Sequence, residues 1–258
     1  MLPVTAALVT LVLLGAGCKP APTPGEPAGQ EAAEPAVKQT IGTGDCRHDY
    51  YPLMPGYSVS YRQTYGERQV NYVMTITEAD DKRAKMEFKF DQIAEVGKEF
   101  TFTQELSCSG GNLMPDGYLD MSEAFGGPKV RIETEEIEGV LMPEGLQNGS
   151  VWTSSYVMKM TPADSSHPMA AYGAMKSDVS VVNTVVGEET ITVPAGTFDT
   201  LKVESVSTTT TEMTGLPNMP PSETTMTEYE WWARGVGMVK SESGDGSSVI
   251  EAIDVDVP

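Results

Sequence analysis

Histidine is almost missing from this chain: His48 and His167 are the two in 258 residues. Two imidazoles cannot build a histidine-rich metal centre, and no His/Cys spacing matches a zinc site. Cationic side chains are also scarce, 17 lysines and arginines against 37 acids, which leaves a net charge of −20. That sign repels a phosphate backbone and an anionic lipid surface, so it argues against nucleic acid as a partner and leaves membrane attachment to something other than charge. Long apolar runs are lacking too. The longest, at residues 4–14, falls short of the about 20 residues a membrane-spanning helix needs. No G-x-S-x-G elbow and no phosphate-cradling glycine loop occurs, so the motifs of a serine hydrolase and of a nucleotide site are both missing. No cofactor and no metal is expected.

What is present begins with LVLLGAG at residues 11–17, running into Cys18. An uncharged apolar stretch ending in small residues is the pattern of a secretory signal. Ala16, Gly17 and Cys18 also resemble the end of a lipobox. Gly15 stands where leucine is usual, Leu14 comes one place early, and no basic residue precedes the apolar run. Residues 1–17 therefore read as a lipoprotein signal peptide, with Cys18 as the lipidated first residue of the mature chain and its attachment to a membrane. The alternative is an ordinary secretory signal cut near Cys18. Residues 18–45 are rich in Pro, Ala and Glu and hold no aromatic residue. Such a segment buries too little surface to offset its ordering entropy and acts as an extended tether. Stable anchoring takes more than one acyl chain. The expected location is the bacterial cell envelope, periplasmic or surface-exposed, with the membrane leaflet left open.

Three cysteines fit this reading. Lipidating Cys18 leaves Cys46 and Cys108, an even pair in an oxidising compartment, and predicts a disulfide between them. The alternative is two reduced, unrelated thiols. A catalytic cysteine is disfavoured, because Cys108 sits in the turn-like SCSGGN with no histidine near it in sequence.

From residue 46 to 258 the grammar is β. In RQVNYVMTITEA at 68–79, Val70, Tyr72, Met74 and Ile76 fall on one face, the period of two of a half-buried strand. Similar runs occur at 57–65, 84–90, 99–106, 129–137, 151–160, 179–186, 189–193, 200–211, 224–233, 237–243 and 249–257, separated by turn signals. Residues 46–258 are thus expected to form one all-β domain, an antiparallel barrel or sandwich of about ten to twelve strands with little helix. Residues 119–125 and 163–175 are the places where a helical turn could form. A loose echo links YPLMPGYSVSY at 51–61 with VLMPEGLQNGSVWTSSY at 140–156, each a Leu-Met-Pro before a turn and an aromatic strand.

Three segments carry a family resemblance: YYPLMPGYSVSY at 50–61, ITVPAGTFDTLKVES at 191–205 and EYEWWARGVGMVKSES at 228–243. Together they resemble the TapB-like lipoproteins of the bacterial envelope, although Ser58 and Val59 lie where Trp is common. The resemblance implies an all-β, barrel-like fold and no agreed activity, so no catalytic residue is transferred. Read physically, Pro194 ends a strand because it cannot donate to the ladder. Gly196 allows a tight connection, Phe198 plugs the end of the core, and Leu201 and Val203 continue the return strand's buried face. Gly235 and Gly237 flank Val236 at a turn or bulge. Trp231 and Trp232, adjacent in a strand, point to opposite faces. One of them must then be exposed, or at a mouth, or under a loop: the plainer reading is loop cover, the sharper one a contact with a ligand or partner.

Other chemistry is thin. The adjacent acids Asp80/Asp81 and Glu135/Glu136 read as solvated turn or strand edge. PDGYLD and SGDGSS lack the spaced ligands of a calcium loop, and SGDGSS reads as a hairpin turn. MTGLPNMPPSETTM at 213–226 reads as a long exposed loop whose methionines fold back on the barrel or adapt to a partner. The favoured expectation is a non-catalytic binding or assembly module that meets a protein or a small apolar ligand. An interior apolar cavity would favour the ligand, and a filled barrel with an exposed aromatic patch the protein. The alternatives are a carboxylate-dependent hydrolase, which needs two carboxyls converging in a cleft with shifted pKa values, and a purely structural surface protein.

Overall fold

In a computed structural model of the chain, the structure describes residues 42–91, 99–116, 130–162, 170, 173–216 and 218–258. The expected signal peptide, Cys18 and the expected tether up to residue 41 lie outside the described residues. Twelve strands carry the fold: β1 (Ser58–Tyr65), β2 (Arg68–Ala79), β3 (Arg83–Phe90), β4 (Phe100–Ser109), β5 (Asn112–Asp116), β6 (Val130–Gly139), β7 (Val151–Pro162), β8 (Met175–Val193), β9 (Gly196–Met213), β10 (Ser222–Ala233), β11 (Gly237–Ser243) and β12 (Ser248–Asp256). One 3-10 turn, Gly44–Cys46, precedes them. Strands adjacent in sequence pair antiparallel, β5 and β6 excepted, and β12 returns to pair with β1. The sheet's edges, β5 and β6, are consecutive, and Leu113 of β5 bridges Met142 just beyond β6. The result is a nearly closed all-β barrel, with almost no helix.

Alternation decides which way the wall faces. Val59, Tyr61, Tyr72, Met74, Phe88, Phe90, Phe100 and Phe102 point into the lumen and are buried. Arg62, Asn71, Lys85, Glu87, Lys89 and Glu105 occupy the outer positions of the same strands. This is the reverse of a lipid-facing barrel, which is apolar outside and polar within. Cross-strand rings stack along the inner wall: Tyr61 on Tyr72 at 5.1 Å, Tyr72 on Phe90 at 4.7 Å and Phe88 on Phe102 at 4.7 Å. Each such pair contributes about 0.5–1.5 kcal/mol beyond its buried area.

One end of the barrel is plugged by two segments. Residues 46–57 bury Tyr50, Tyr51, Leu53 and Tyr57. They are held by the Asp49–Arg234 ion pair, by Gly235 N–H donating to Asp49 O at 2.7 Å, and by Tyr57 Oη donating to Val236 O. The Cys46–Cys108 disulfide, closing a separation of 62 residues, staples this plug to β4. Residues 140–150 bury Met142 and Leu146, and Trp152 Nε1 donates to Leu141 O at 3.0 Å. His48 Nε2 bonds Pro143 O at 3.0 Å and joins the two segments. The Leu-Met-Pro echo is therefore matched in space: each copy sits in the plug before the first strand of a six-strand half.

The structure departs from the sequence expectation in three places. Residues 179–186 and 189–193 are one strand, β8, because Gly187 opens a bulge rather than a turn. The short β5 was not expected, since Pro115 suits only an edge strand. The connection after β9 is shorter than expected: Met213 closes β9, and residues 222–226 belong to β10. Of the two segments considered for helical turns, 119–125 lies outside the described residues, as does most of 163–175, and Met175 opens β8.

Past the bulge, β8 and β9 run beyond β7 as a two-stranded arm. Its tip is the tight connection Pro194–Ala195, with Val193 paired to Gly196. The arm turns back over β10 and β11, and Ala195 N–H donates to Ala252 O on β12 at 3.1 Å. Leu201 and Val203 are buried as expected, and Phe198 packs half-buried against the core.

Candidate functional site

The strand β10 contains EYEWW, and its alternation puts Glu228, Glu230 and Trp232 on the lumen face together. Trp232 is 3% exposed and Glu230 4%. The indole N–H of Trp232 donates to Glu230 Oε2 at 2.8 Å, and the hydroxyl of Ser241, on β11, donates to Glu228 Oε1. The carboxyls are two residues apart on one face, so their backbones stand about 7 Å apart. Burial first, and the neighbouring Glu230 charge second, push the Glu228 carboxyl up to about 8, against the opposing effect of the Ser241 hydroxyl. At neutral pH Glu228 therefore holds its proton.

The rest of the chamber is aromatic. Tyr51 from the plug lies 5.5 Å from Trp232, ring centre to ring centre, and its hydroxyl donates to Met86 Sδ at 3.3 Å. The Tyr61 hydroxyl donates to Met238 O at 2.8 Å. Burial raises the phenols of Tyr51, Tyr61 and Tyr72, with Glu230 adding to the first two and Glu228 to the third, so all three remain neutral donors. Between these rings lies a cavity of about 30 Å³, lined by Tyr51, Tyr61, Tyr72, Phe88, Trp232 and Met238 among others. That is room for about two waters. Further along the lumen Ser205 donates to Asn183 Oδ1 and Gln63 donates to Ser248 Oγ at 3.2 Å, whereas the amide of buried Gln104 has no hydrogen-bond partner among the described residues. The chamber can store a proton beside a small, water-sized void.

The residues singled out in the sequence take different places. Cys46 and Cys108 form the predicted disulfide, with Cα atoms 5.0 Å apart. Trp231 and Trp232 do face opposite sides, but neither is exposed. Trp231, on the outer face, is 5% exposed. Its N–H donates to Glu189 Oε2 at 2.8 Å on the folded-back arm, and Lys202 and Lys240 lie over the ring at 4.9 and 4.6 Å. That indole bond, then the Lys202 bond, holds the Glu189 carboxyl below its ordinary value. Asp80 accepts the Lys82 and Arg83 amides in an exposed turn. Asp245 caps the β11–β12 hairpin through Ser243 and Ser247, which pulls its carboxyl down to about 2. Among the described residues no cluster of three His, Cys, Asp or Glu side chains is placed to hold a metal. Met219 and Met226 do not fold back on the barrel: they are 44% and 48% exposed. The Glu228–Glu230 pair went unnoticed in the sequence, where the visible acid pairs were adjacent ones. The signal was there in the shared parity with Trp232.

These features define a class: a plugged antiparallel β-barrel with a polar outer wall and an aromatic lumen. The chain belongs to the DUF3108-like family, whose profile matches residues 60–252. The match does not extend to the TapB-like name that the motifs resemble. Two solved structures share the fold. A protein of Bacteroides fragilis NCTC 9343, described as exported and as having a YmcC-like fold, is 16% identical with a TM-score of 0.54, over 81% of this chain and 100% of that one. A protein of Parabacteroides distasonis ATCC 8503, described as a lipoprotein, is 17% identical with a TM-score of 0.55, over 81% of this chain and 99% of that one. No curated protein matches the chain.

Proposed function

We propose that this chain is a non-catalytic, lipid-anchored protein of the bacterial envelope, whose plugged barrel is a binding or assembly module held off the membrane by residues 18–45. The observation that carries the reading is LVLLGAGC at residues 11–18 followed by a tether without aromatics. The Cys46–Cys108 disulfide supports an oxidising compartment, and the descriptions of the two structural relatives as exported and as a lipoprotein point the same way. A void of about 30 Å³ speaks against carriage of a small apolar ligand in the lumen. Metabolic labelling with a fatty acid tests the anchor. Label should enter the wild-type chain and be lost in Cys18→Ala, and an unlabelled wild-type chain in the cytosolic fraction would overturn the reading. Native mass spectrometry of the chain from its own host tests the module. A retained protein supports assembly, a retained small molecule moves the reading to carriage, and neither leaves a purely structural surface protein.

The Glu228–Glu230 pair is the one observation favouring a carboxylate-dependent hydrolase. Both carboxyls are engaged by lumen side chains, and the adjoining void admits only water-sized molecules. Hydrolysis of any member of an ester, amide or glycoside panel that disappears in Glu228→Gln/Glu230→Gln would put the enzyme reading first.

A further inference from the structure

At the end of the barrel away from the plug, the register aligns three methionines. Met160 on β7 pairs directly with Met175 on β8, and Met175 pairs directly with Met213 on β9. The β7–β8 ladder runs without a shift, and the one shift between β8 and β9 lies ten or more residues away, at Val185/Gly187. Directly paired residues share a face, with Cβ atoms about 4.5–5.5 Å apart. The three side chains therefore stand side by side on the lumen face, with Met175 in the centre. Methionine has three flexible torsions and a polarisable sulfur, so the outer two can lean over the middle one.

The surroundings hold this row in place and leave it reachable. Just beyond it, Thr214 and Ala174 lock the strand ends together: Thr214 N–H donates to Ala174 O at 2.9 Å, and Ala174 N–H donates to Thr214 Oγ1 at 2.9 Å. Just inside it, Ser177 Oγ and Thr211 Oγ1 are 3.0 Å apart. Met160 is buried, whereas Met175 and Met213 are half-buried at the rim. Packing alone does not call for sulfur at three consecutive cross-strand positions, since leucine fills such positions equally well. Thioethers are soft ligands that select Cu(I) over hard cations such as magnesium or calcium. The disulfide removes Cys46 and Cys108 as competing thiols.

We propose that Met160, Met175 and Met213 form a three-thioether site for a soft monovalent cation, Cu(I) or its analogue Ag(I), at the open rim of the barrel. The site needs no redox step, because it binds the ion in the oxidation state in which it arrives. A chain of net charge −20 adds a general attraction for any cation.

The test uses the full chain carrying Cys18→Ser, with the disulfide intact, so that no free thiol is present. Cu(I) is offered in competition with bicinchoninate, and Ag(I) is titrated while the methionine ¹³C-methyl signals are followed. One equivalent of Cu(I) should be taken up, and three methyl signals should move together and saturate at one Ag(I). Met160→Leu/Met175→Leu/Met213→Leu should weaken Cu(I) binding at least tenfold, whereas Met219→Leu/Met226→Leu should not change it. No uptake by the parent chain, methyl shifts confined to Met219 and Met226, or full affinity in the triple variant would each overturn the proposal. The methyl measurement needs no substitution in the row, so it decides the matter even where the triple variant folds poorly.

Discussion

Replacing Glu228 by glutamine should make the protein more stable, and increasingly so as pH rises. Glu228 ordinarily ionises at 4.5 and is raised to about 8 in the barrel, so folding favours its neutral form. A group raised in this way contributes stability that is fully present at pH values below its unfolded value and is lost as pH climbs through its folded value. From the two pKa values, the loss relative to the acid limit is about 1 kcal/mol at pH 5 and about 3 kcal/mol at pH 7. The carboxyl is only partly shielded from solvent, so about 2 kcal/mol at pH 7 is the figure to expect. Glutamine keeps the shape and carries no ionisation cost. For a domain of this size that difference is worth about 4–8 °C in melting temperature. The assay is thermal unfolding by circular dichroism at pH 5, 6, 7 and 8 for the parent and Glu228→Gln. The two curves should nearly coincide at pH 5 and diverge above it. If the parent melted at the same temperature across this range, or if glutamine lowered stability by the same amount at every pH, the picture of a half-buried, protonated Glu228 would be wrong.

Three further outcomes follow from the geometry. Replacing both Cys46 and Cys108 by serine should cost about 4 kcal/mol for a loop of this length, read by urea unfolding; reductant should reproduce the loss in the parent and leave the variant unchanged. His48 accepts the Tyr50 amide at Nδ1, and burial lowers its pKa below 6.5, so acid works in the opposite sense there. Stability held by neutral His48 is present above pH 6.5 and is lost as pH falls, so the Tyr50 amide should lose hydrogen-exchange protection between pH 7 and pH 5; equal protection at both, after correction for intrinsic rates, would count against it. Gly139 has φ +80°, and a Cβ there would lie 2.2 Å from Thr153 O, whereas Gly66 has φ +57° and open space around it. Gly139→Ala should therefore cost about 3 kcal/mol or more and Gly66→Ala about 1 kcal/mol, compared by chemical denaturation.

Strand alternation was legible because burial of one face imposes a period of two on the sequence. Val70, Tyr72, Met74 and Ile76 announced β2 for that reason, and the lumen is where they went. The Pro-Ala-Gly turn after Val193 was equally local, as was the Asp245 hairpin, since turn geometry depends on a few neighbouring residues. The even pair of cysteines was legible by counting. Gly187 misled because a bulge and a turn use the same residue, and only the partner strand distinguishes them. Pro115 hid β5 for a related reason: a proline is tolerated there only because the strand lies on an edge, and an edge is a property of the whole sheet.

The fate of the two tryptophans marks the boundary most clearly. Local alternation dictated that Trp231 and Trp232 face opposite ways. That both are buried came from the β8–β9 arm folding back over β10 and β11, an event between residues about forty positions apart. The same holds for Glu228, whose proton depends on which face of β10 the closed barrel turns inward, and for the methionine row, which exists only in the pairing of β7, β8 and β9. Periodicity and composition act along the chain and so determined the strands and the turns. Burial, charge state and side-chain company act across it, and they were decided only when the sheet closed.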